Sequence, residues 1–355
     1  MRPAVPSPPP AAHLAPAEAA RRLGVSTKAL RVYEQRGLVS PARTAAGWRV
    51  YGPDEMARAA EVVALRALDL SLAQVAQVLQ GDAGQLEAAL AAHQDGLEAQ
   101  ARALAGTLDR IRRCRRDLAQ GRAPATGDLA RLLAPPSAPG IAFDLPWPWG
   151  GERFELHQIR PLTFVTGPLG SGKTRLARTL AEALPGGAFL GLERAADGGA
   201  AARARLAGDP ALAARVDAAL AWLTGEGAAP SDALRALLCG LEDEGPGALV
   251  VDMVEQGLDR GSQEALAAHL QRRRSRGRPL FLLTRSSAIL DLTSIRPDAA
   301  ILLCPANHSP PVLVEPRPGA PGYEAVATCL APPEVRARTE GVIAWRPPLT
   351  PPGSR

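Results

Sequence analysis

Leu162-Thr-Phe-Val-Thr-Gly-Pro-Leu-Gly-Ser-Gly-Lys-Thr174 predicts the type of fold of the second half of this 355-residue chain. Its first five residues are apolar or β-branched and predict a short buried strand. The glycine-rich loop then leads into Arg175-Leu-Ala-Arg-Thr-Leu-Ala-Glu-Ala-Leu184, which favours a helix. A strand, a Gly-x-x-x-x-Gly-Lys-Thr loop and a helix in this order form the P-loop motif, which predicts an α/β domain.

This loop predicts a binding site for nucleotide phosphates. In a P-loop, backbone amides and the helix N-terminus surround the phosphates, the lysine reaches the β- and γ-phosphates, and the threonine hydroxyl is a ligand of Mg²⁺. The chain has only two lysines among its 41 basic residues, Lys28 and Lys173, so the loop position favours an ammonium group. The implied ligands are ATP and Mg²⁺, and the candidate nucleotide-binding residues are Gly167, Gly170, Ser171, Gly172, Lys173, Thr174 and Asp252.

Asp252 belongs to this group because it ends a second apolar strand, Ala248-Leu-Val-Val251. In Walker B strands the carboxylate at this position supports the magnesium shell, and Thr174 and Asp252 are therefore the candidate metal residues. The segment from Asp252 to Asp259, the helix Gly-Ser-Gln-Glu-Ala-Leu-Ala-Ala-His-Leu and a strand over 279–283 follow. In this order, residues 141–305 resemble ATP-binding-cassette ATPases. Leu223-Thr-Gly-Glu-Gly227 lies about where that superfamily has its signature motif, but the match is degenerate, and an ordinary glycine-rich turn is the alternative.

Departures from the cassette pattern affect catalysis. Cassette ATPases have a glutamate directly after the Walker B aspartate, and this chain has Met253, which cannot act as a base. The switch histidine is also missing, because Thr284 is followed by Arg285. Slow or negligible hydrolysis is expected, with Glu255 as the candidate substitute base. Too few residues separate Thr174 from Leu223 for the helical subdomain of transporters, so a transporter subunit is not expected.

The N-terminal third carries the whole net charge of +5. Residues 16–52 hold seven basic and two acidic side chains, a balance that suits a polyanion such as DNA. Residues 16–23 predict a helix, Gly24-Val-Ser26 a tight turn with Ser26 as N-cap, and residues 27–36 a second helix. Residues 41–51 predict a β-hairpin wing. A helix-turn-helix unit is the functional interpretation, and a helical hairpin within a bundle is the alternative.

Specific matches strengthen the first interpretation: Gly24-Val-Ser26, Leu30-Arg-Val-Tyr-Glu34, Gly37-Leu-Val39, Pro41-x-Arg43, Arg49-Val-Tyr51 and a helix that opens near Asp54. Over residues 14–80 the chain resembles the MerR family of transcriptional regulators. Val32 departs from the family, which usually has a second aromatic residue there. The resemblance implies contacts to double-stranded promoter DNA, with bases and backbone contacted by Thr27, Lys28, Arg31, Tyr33, Arg43, Arg49 and Tyr51.

Residues 82–119 carry a heptad seam that predicts a long coiled coil. The seam positions alternate at intervals of four and three residues: Leu86, Leu90, His93, Leu97, Gln100, Leu104, Thr107, Ile111, Cys114 and Leu118. MerR-type proteins dimerise through such a helix pair, so a homodimer is implied. His93 and Cys114 lie about 31 Å apart along a helix and cannot share an ion within one chain. A metal-sensing regulator is therefore not expected.

The remaining segments complete a multidomain prediction. Residues 1–13 are expected to be a disordered lead-in, 120–140 a linker, 141–330 the α/β P-loop domain and 331–355 a proline-rich tail. The basic run Arg272–Arg278 is expected to be a solvated turn, with a second DNA contact as the alternative. The four cysteines form no Cys-x-x-Cys pair. Neither a spanning segment nor a secretory signal is evident, so a cytoplasmic protein without a membrane partner is expected.

Three functions remain open at this point. The leading hypothesis is a dimeric MerR-type regulator that acts on RNA polymerase through promoter DNA and binds ATP as a sensory or conformational switch. The alternative is a P-loop ATPase or small-molecule kinase with an autoregulatory DNA-binding domain. In the third, the P-loop is a relic and a hydrophobic effector binds elsewhere, at a pocket lined by tryptophans such as Trp147 and Trp149. These two side chains could equally lie at the edge of an adenine site.

Overall fold

The computed structural model of the protein describes residues 13–82, 84–121, 138–273, 278–295 and 298–331. The chain divides into two compact units between residues 125 and 126. Most of the lead-in, linker and tail, and the centre of the Arg272–Arg278 run, lie outside the described residues. The unit boundary falls within the predicted linker, between the predicted coiled coil and the P-loop domain.

Helices surround a small hairpin in the first unit. Its elements in chain order are α1 (Pro16–Leu23), α2 (Thr27–Gln35), β1 (Ala42–Arg43), β2 (Arg49–Val50), α3 (Pro53–Ala67), α4 (Leu72–Leu79) and α5 (Gly84–Ala119). The first helix begins with Pro16 and ends at Gly24, whose φ of 68° gives the left-handed cap that favours glycine. Ser26 caps α2 by accepting a hydrogen bond from the Ala29 amide at 3.1 Å. The predicted helix-turn-helix and its cap are confirmed.

The predicted wing forms because residues 42–43 and 49–50 pair in antiparallel register, with Ala42 opposite Val50 and Arg43 opposite Arg49. A turn at Gly47 closes the hairpin, and the Thr44 hydroxyl accepts a hydrogen bond from the Trp48 amide at 3.1 Å. The small core behind the wing joins the helices through Leu30, Tyr33, Tyr51 and Val62. Burial of these side chains fixes the orientation of α2 relative to the wing.

The long helix α5 coincides with the predicted coiled-coil segment and is 36 residues long. Several leucines on the predicted seam have about half or more of their surface exposed in the single chain, namely Leu90, Leu97, Leu104 and Leu118. A row of exposed leucines at heptad spacing is the surface that a second helix buries in a coiled coil.

The second unit contains a six-stranded sheet, a separate two-stranded hairpin and several helices. Its elements are β3 (Ala138–Asp144), β4 (Arg153–Ile159), β5 (Leu162–Thr166), α6 (Lys173–Ala183), β6 (Gly187–Leu190), a 3₁₀ turn (Leu192–Ala195), α7 (Ala200–Gly208), α8 (Pro210–Glu226), α9 (Asp232–Leu241), β7 (Ala248–Val251), α10 (Arg260–Arg273), β8 (Leu280–Leu283), β9 (Ala299–Leu303), β10 (Val312–Val314) and α11 (Tyr323–Cys329). The strand order is β10-β9-β5-β8-β7-β6, and β10 alone runs antiparallel to its neighbour.

Alternating side chains of the sheet supply two apolar layers, one on each face. Phe164 and Leu282 contribute to the layer that packs on α8, α9 and α10, whereas Val165 and Leu283 contribute to the layer that packs on α6 and the β3–β4 hairpin. Burial on both faces explains why the central strands are continuous apolar runs. Because parallel strands point the same way, the loops after β5 and β7 lie at the same edge of the sheet, and this edge positions the candidate site.

Two sequence-based expectations are corrected. The predicted linker 120–140 ends too late, because Ala138 and Pro139 already pair with Ile159 and Gln158 of β4. Gly140 fits this hairpin because a Cβ there would meet the Leu156 carbonyl oxygen at 2.6 Å. In addition, the signature-like segment 223–227 is the end of α8, with Gly227 as its left-handed cap. A helix C-terminus exposes carbonyl groups, so this segment is poorly suited to bind phosphate.

Candidate functional site

The P-loop connects β5 to α6 and is held by close packing at both of its ends. A Cβ on Gly167 would lie 2.4 Å from the Cys304 carbonyl oxygen, and one on Gly172 would lie 2.6 Å from the Trp149 ring. Gly172 also has a φ of 87°, which favours glycine and places α6 directly after the loop. These contacts explain two of the glycines of the motif by packing as well as by backbone conformation.

Lys173 points into the loop. Its Nζ donates hydrogen bonds to the carbonyl oxygens of Gly167 at 2.9 Å and Pro168 at 2.6 Å. The side chain is buried, and this burial lowers the pKa of the Lys173 ammonium, with nearby Arg285 adding to the effect. A buried cation held by neutral carbonyl groups is poorly compensated, so an anionic group inside the loop would be strongly favoured there.

Thr174 and Asp252 meet at the edge of the sheet. The Thr174 hydroxyl donates to the Asp252 carboxylate at 2.8 Å, although the two residues are 78 positions apart in sequence. The Asp252 side chain is only 2% exposed, because β7 ends beneath the P-loop. A hydroxyl and a carboxylate next to a phosphate-sized loop are oxygen ligands of the type that Mg²⁺ prefers. The residues present therefore fit a nucleotide with its magnesium ion.

Arg194 is a residue of this site that sequence reasoning missed. It lies in the 3₁₀ turn after β6 and donates to the carbonyl oxygens of Asp252 at 2.8 Å and Met253 at 2.6 Å. Burial lowers the pKa of its guanidinium, whereas Asp252 and Glu255 act in the opposite direction. Met253 has a φ of 42°, so Arg194 stabilises a bend directly after the Walker B aspartate. No local sequence pattern marks an arginine for this role.

Glu255 lies in the loop after β7, two residues beyond the bend at Met253. One of its carboxylate oxygens accepts a hydrogen bond from the Arg285 amide at 2.9 Å. The other is buried and makes no hydrogen bond to the described residues. Both Asp252 and Glu255 raise the pKa of the Arg194 guanidinium, so each carboxylate lies within electrostatic range of Arg194. Its role as a base stays a prediction.

The two tryptophans of the β3–β4 connection have different environments. Trp149 is buried against Gly172, and its indole N–H donates to the Ser309 carbonyl oxygen at 2.9 Å. Trp147 is 69% exposed, and the Arg175 guanidinium lies 4.5 Å from the centre of its ring. Trp149 therefore packs the P-loop, whereas Trp147 offers an aromatic face beside the first turn of α6.

The residues assigned to DNA fall into two groups. Thr27, Lys28 and Arg31 are exposed on α2, and Arg43 is exposed on the wing. The other group lies in the interior of the head, which comprises α1 to α4 and the wing. Tyr33 and Tyr51 are buried, and Arg49 is half-buried.

Glu34 organises the interior group. Its carboxylate accepts hydrogen bonds from Arg49 at 2.6 Å and from the Tyr51 hydroxyl. The hydrogen bond to Glu34 raises the pKa of Arg49, and burial, together with Glu34, raises the pKa of Tyr51. In this arrangement Tyr51 and Arg49 brace the wing against α2. Direct DNA contact by these two residues stays a prediction.

Two further properties concern the described part of the chain. Within the described ranges, no group of three or more His, Cys, Asp or Glu side chains is arranged to hold a metal ion. None of the helices described is both long enough and apolar enough to cross a bilayer.

Comparisons with known proteins identify the head. The model of the MerR HTH family regulatory protein matches residues 15–82. The "Probable heavy metal-dependent transcriptional regulator" of Haemophilus influenzae is 43% identical over 63 residues, which are 18% of this chain and 49% of that protein. The chain thus spans about half the length of this curated relative.

Solved structures resemble each part of the chain. The HTH-type transcriptional regulator SkgA from Caulobacter crescentus shares 30% identity over 35% of this chain and 91% of that chain, with a TM-score of 0.23. The ADP conformation of MJ1267, an ATP-binding cassette of an ABC transporter, shares 14% identity over 55% of this chain and 96% of that chain, with a TM-score of 0.33.

The family match covers α1 to α4 with the turn and the wing. A mixed α/β domain that carries the P-loop follows this region in the chain. Residues 15–82 are therefore a MerR-family helix-turn-helix domain, at the N-terminus of a multidomain chain.

Proposed function

We propose that the protein is a dimeric DNA-binding transcriptional regulator whose P-loop domain binds MgATP or a related nucleotide as a conformational switch. The observation that carries this proposal is the 2.8 Å contact between Thr174 and Asp252, next to the buried Lys173. Thr174 and Asp252 would hold Mg²⁺, while Lys173 and the loop amides would hold the phosphates. The bound nucleotide would supply the free energy that favours one arrangement of the dimer.

The proposed DNA surface consists of the exposed residues of α2 and the wing. Thr27, Lys28 and Arg31 lie on the first turns of α2, where side chains can reach base edges in the major groove. Arg43 lies on the wing, where a guanidinium suits phosphate oxygens. In a cytoplasmic regulator of this type, the output would be a nucleotide-dependent bend or twist of promoter DNA, which RNA polymerase then senses.

Trp147 gives the nucleotide site a proposed second part. Its exposed ring lies beside Arg175, the residue that directly follows the proposed magnesium ligand Thr174. An aromatic face at this position can stack on the base of a nucleotide whose phosphates occupy the loop. The third hypothesis of the sequence analysis, a pocket lined by both tryptophans, is less favoured because Trp149 is already packed on Gly172.

Operator binding with and without nucleotide tests the switch. A duplex operator would first be selected from a random library with the full-length protein. We then expect MgATP to change operator affinity or the bend angle, because the proposed switch couples the two ligands. The measurements are fluorescence anisotropy and end-to-end energy transfer on labelled DNA at fixed salt. If saturating nucleotide changes neither the operator affinity nor the bend angle, the proposed switch is refuted.

Dimerisation through α5 gives a separate prediction. Leu104 is 66% exposed on the predicted seam, and a carboxylate there would be buried in the paired helices. We expect Leu104→Asp to raise the dimer dissociation constant at least about tenfold, because burying an unpaired charge is costly. Sedimentation equilibrium measures this constant. The control is Arg102→Asp, which changes a largely exposed side chain off the seam. Equal dimer stability in both variants would contradict the assignment.

Slow hydrolysis is the third prediction. Because Met253 cannot activate water, we expect ATP turnover about 10² to 10⁴ times slower than in an ATPase with a general base. If Glu255 supplies residual base catalysis, Glu255→Gln should reduce the remaining rate further while leaving MgATP affinity within about twofold, since the change is isosteric. Phosphate release under single-turnover conditions measures the rate. Fast turnover that depends on an added metabolite would instead favour the alternative function, an ATPase or small-molecule kinase with an autoregulatory DNA-binding domain.

A further inference from the structure

We propose that His308 is a positioning residue of the P-loop, which it orients through the Gly170–Ser171 peptide. This inference rests on the proposed nucleotide binding. His308 lies in the loop between β9 and β10, 138 residues away from Gly170 in sequence. Its ring nitrogen Nε2 lies 3.1 Å from the Gly170 carbonyl oxygen. Because a carbonyl oxygen only accepts hydrogen bonds, Nε2 must carry the proton and donate.

The contact determines where the next amide points. In a trans peptide the C=O and the following N–H point in opposite directions, so holding the Gly170 carbonyl towards His308 turns the Ser171 N–H away from it. That N–H approaches the Pro168 carbonyl oxygen at 3.4 Å. Lys173 Nζ contacts the same oxygen at 2.6 Å. The Ser171 N–H and the Lys173 ammonium thus both point to the Pro168 carbonyl oxygen inside the loop. A phosphate oxygen could replace this carbonyl oxygen as the acceptor of both donors.

Apart from the His308 contact and the Ser171–Pro168 hydrogen bond, no contact at the Gly170 position restrains this peptide among the described residues. Gly170 has a φ of 77°, and among the described residues nothing lies within 4 Å of the position that a Cβ would occupy. A glycine in open space can change its backbone dihedrals at low cost, so the peptide could rotate and turn the Ser171 N–H out of the loop. The hydrogen bond from His308 opposes that rotation.

Hydrogen bonds hold the loop that carries His308, whose own amide donates to the Pro305 carbonyl oxygen at 3.3 Å. The His308 φ of 56° lies in the left-handed region, where histidine, asparagine and aspartate are enriched among residues other than glycine. The neighbouring Ser309 is fixed on both sides: its amide donates to the Asn307 side chain at 3.1 Å, and its carbonyl oxygen accepts from Trp149 at 2.9 Å. Trp149 in turn packs on Gly172, at the other end of the P-loop. The loop that carries His308 is therefore anchored to the element that His308 orients.

Calorimetric titration of MgATP into the full-length protein tests the proposal. We expect His308→Ala to raise Kd about 3- to 10-fold, the range that corresponds to one hydrogen bond. His308→Gln should remain within about twofold of the native Kd, because its amide N–H can replace the imidazole donor. His308→Asn tolerates the left-handed backbone but is too short to reach Gly170, and it should behave like His308→Ala. The control is His157→Ala, since His157 is largely exposed on β4.

Hydrogen exchange of residues 167–174, followed without nucleotide, separates this proposal from nucleotide binding itself. We expect faster exchange in the Ala and Asn variants and native exchange in the Gln variant. If native protein fails to bind MgATP while exchange follows this pattern, the proposed nucleotide binding is refuted, and the role of His308 in orienting the peptide is supported. If native protein binds MgATP and the Ala variant matches it in both Kd and exchange, the role of His308 is wrong. If the Gln variant lost both MgATP affinity and native exchange, the role of His308 would also be overturned, because an N–H donor at this position would then not account for it.

Discussion

Lys173→Ala is expected to weaken MgATP binding at least about 100-fold. The ammonium is buried within the P-loop and already makes two short hydrogen bonds to its carbonyl groups. Charge-assisted contacts to phosphate oxygens contribute about 1.5–3 kcal/mol each, and 1.4 kcal/mol corresponds to a factor of ten. The variant would lose two such contacts to the phosphate oxygens of MgATP, because it lacks the ammonium group. Isothermal titration calorimetry on the native and variant proteins measures the difference.

The stability of the variant separates this effect from misfolding. Burial lowers the pKa of Lys173, so the charged form is less favoured in the folded chain than in the unfolded chain. Removing the ammonium removes that cost at neutral pH, and we expect a nucleotide-free melting temperature no lower than that of the native protein. A variant that melts normally and no longer binds MgATP would support the site. A variant that binds MgATP with native affinity would contradict it.

Lys28→Ala is the matched control, because it removes the other lysine of the chain. Lys28 is exposed on α2, in the MerR-type head. We expect this variant to bind MgATP normally and to bind operator DNA more weakly, with a smaller dependence on salt. The Lys173 variant should therefore lose MgATP binding, whereas the Lys28 variant should bind operator DNA more weakly.

Glu34→Ala is expected to destabilise the head by about 2–4 kcal/mol and to reduce operator affinity at least about tenfold. The Glu34 side chain is 13% exposed and accepts hydrogen bonds from both Arg49 and Tyr51. Its loss would leave the buried Tyr51 hydroxyl without this acceptor and the Arg49 guanidinium without its counter-charge. Hydrogen bonds to charged groups contribute about 1.5–3 kcal/mol each, and the cost of an unsatisfied buried group is similar. The wing would lose its brace against α2.

Hydrogen exchange over residues 14–52 and operator anisotropy measure these two effects. Glu61→Ala is the matched control, because Glu61 also pairs with an arginine in the head, Arg58, but is 62% exposed. Exposed ion pairs contribute about 0–1 kcal/mol, so this variant should resemble the native protein. Similar behaviour of the two glutamate variants would refute the special role of Glu34.

Local patterns in the sequence were sufficient for several elements of both units. The helix-turn-helix with its Ser26 cap, the wing, the long helix α5, and the strand and helix that flank the P-loop all depend on residues close together in the chain. Capping, turn formation and hydrophobic periodicity act over a few residues, so they can be recognised without knowing the fold.

Errors arose where a segment's role depends on distant partners. Residues 223–227 look like a glycine-rich loop but end α8, because the helix is held by core contacts of Leu212, Val216 and Leu223. Ala138-Pro-Gly140 has the composition of a linker but pairs with a strand that comes later in the chain. Composition describes a segment by itself, whereas pairing and packing depend on what the rest of the chain places beside it.

The MerR-type head and the residue types of the P-loop could be recognised from the sequence, since each is a contiguous motif. Which side chains meet at the P-loop depends on the tertiary structure. It joins Thr174 to Asp252, places Arg194 on the bend at Met253, and brings His308 to Gly170. It also distinguishes Tyr51, which braces the head from inside, from Arg31, which is exposed. The physical reason is that these contacts form between strand ends and loops far apart in sequence, where burial and hydrogen-bond geometry leave no local pattern.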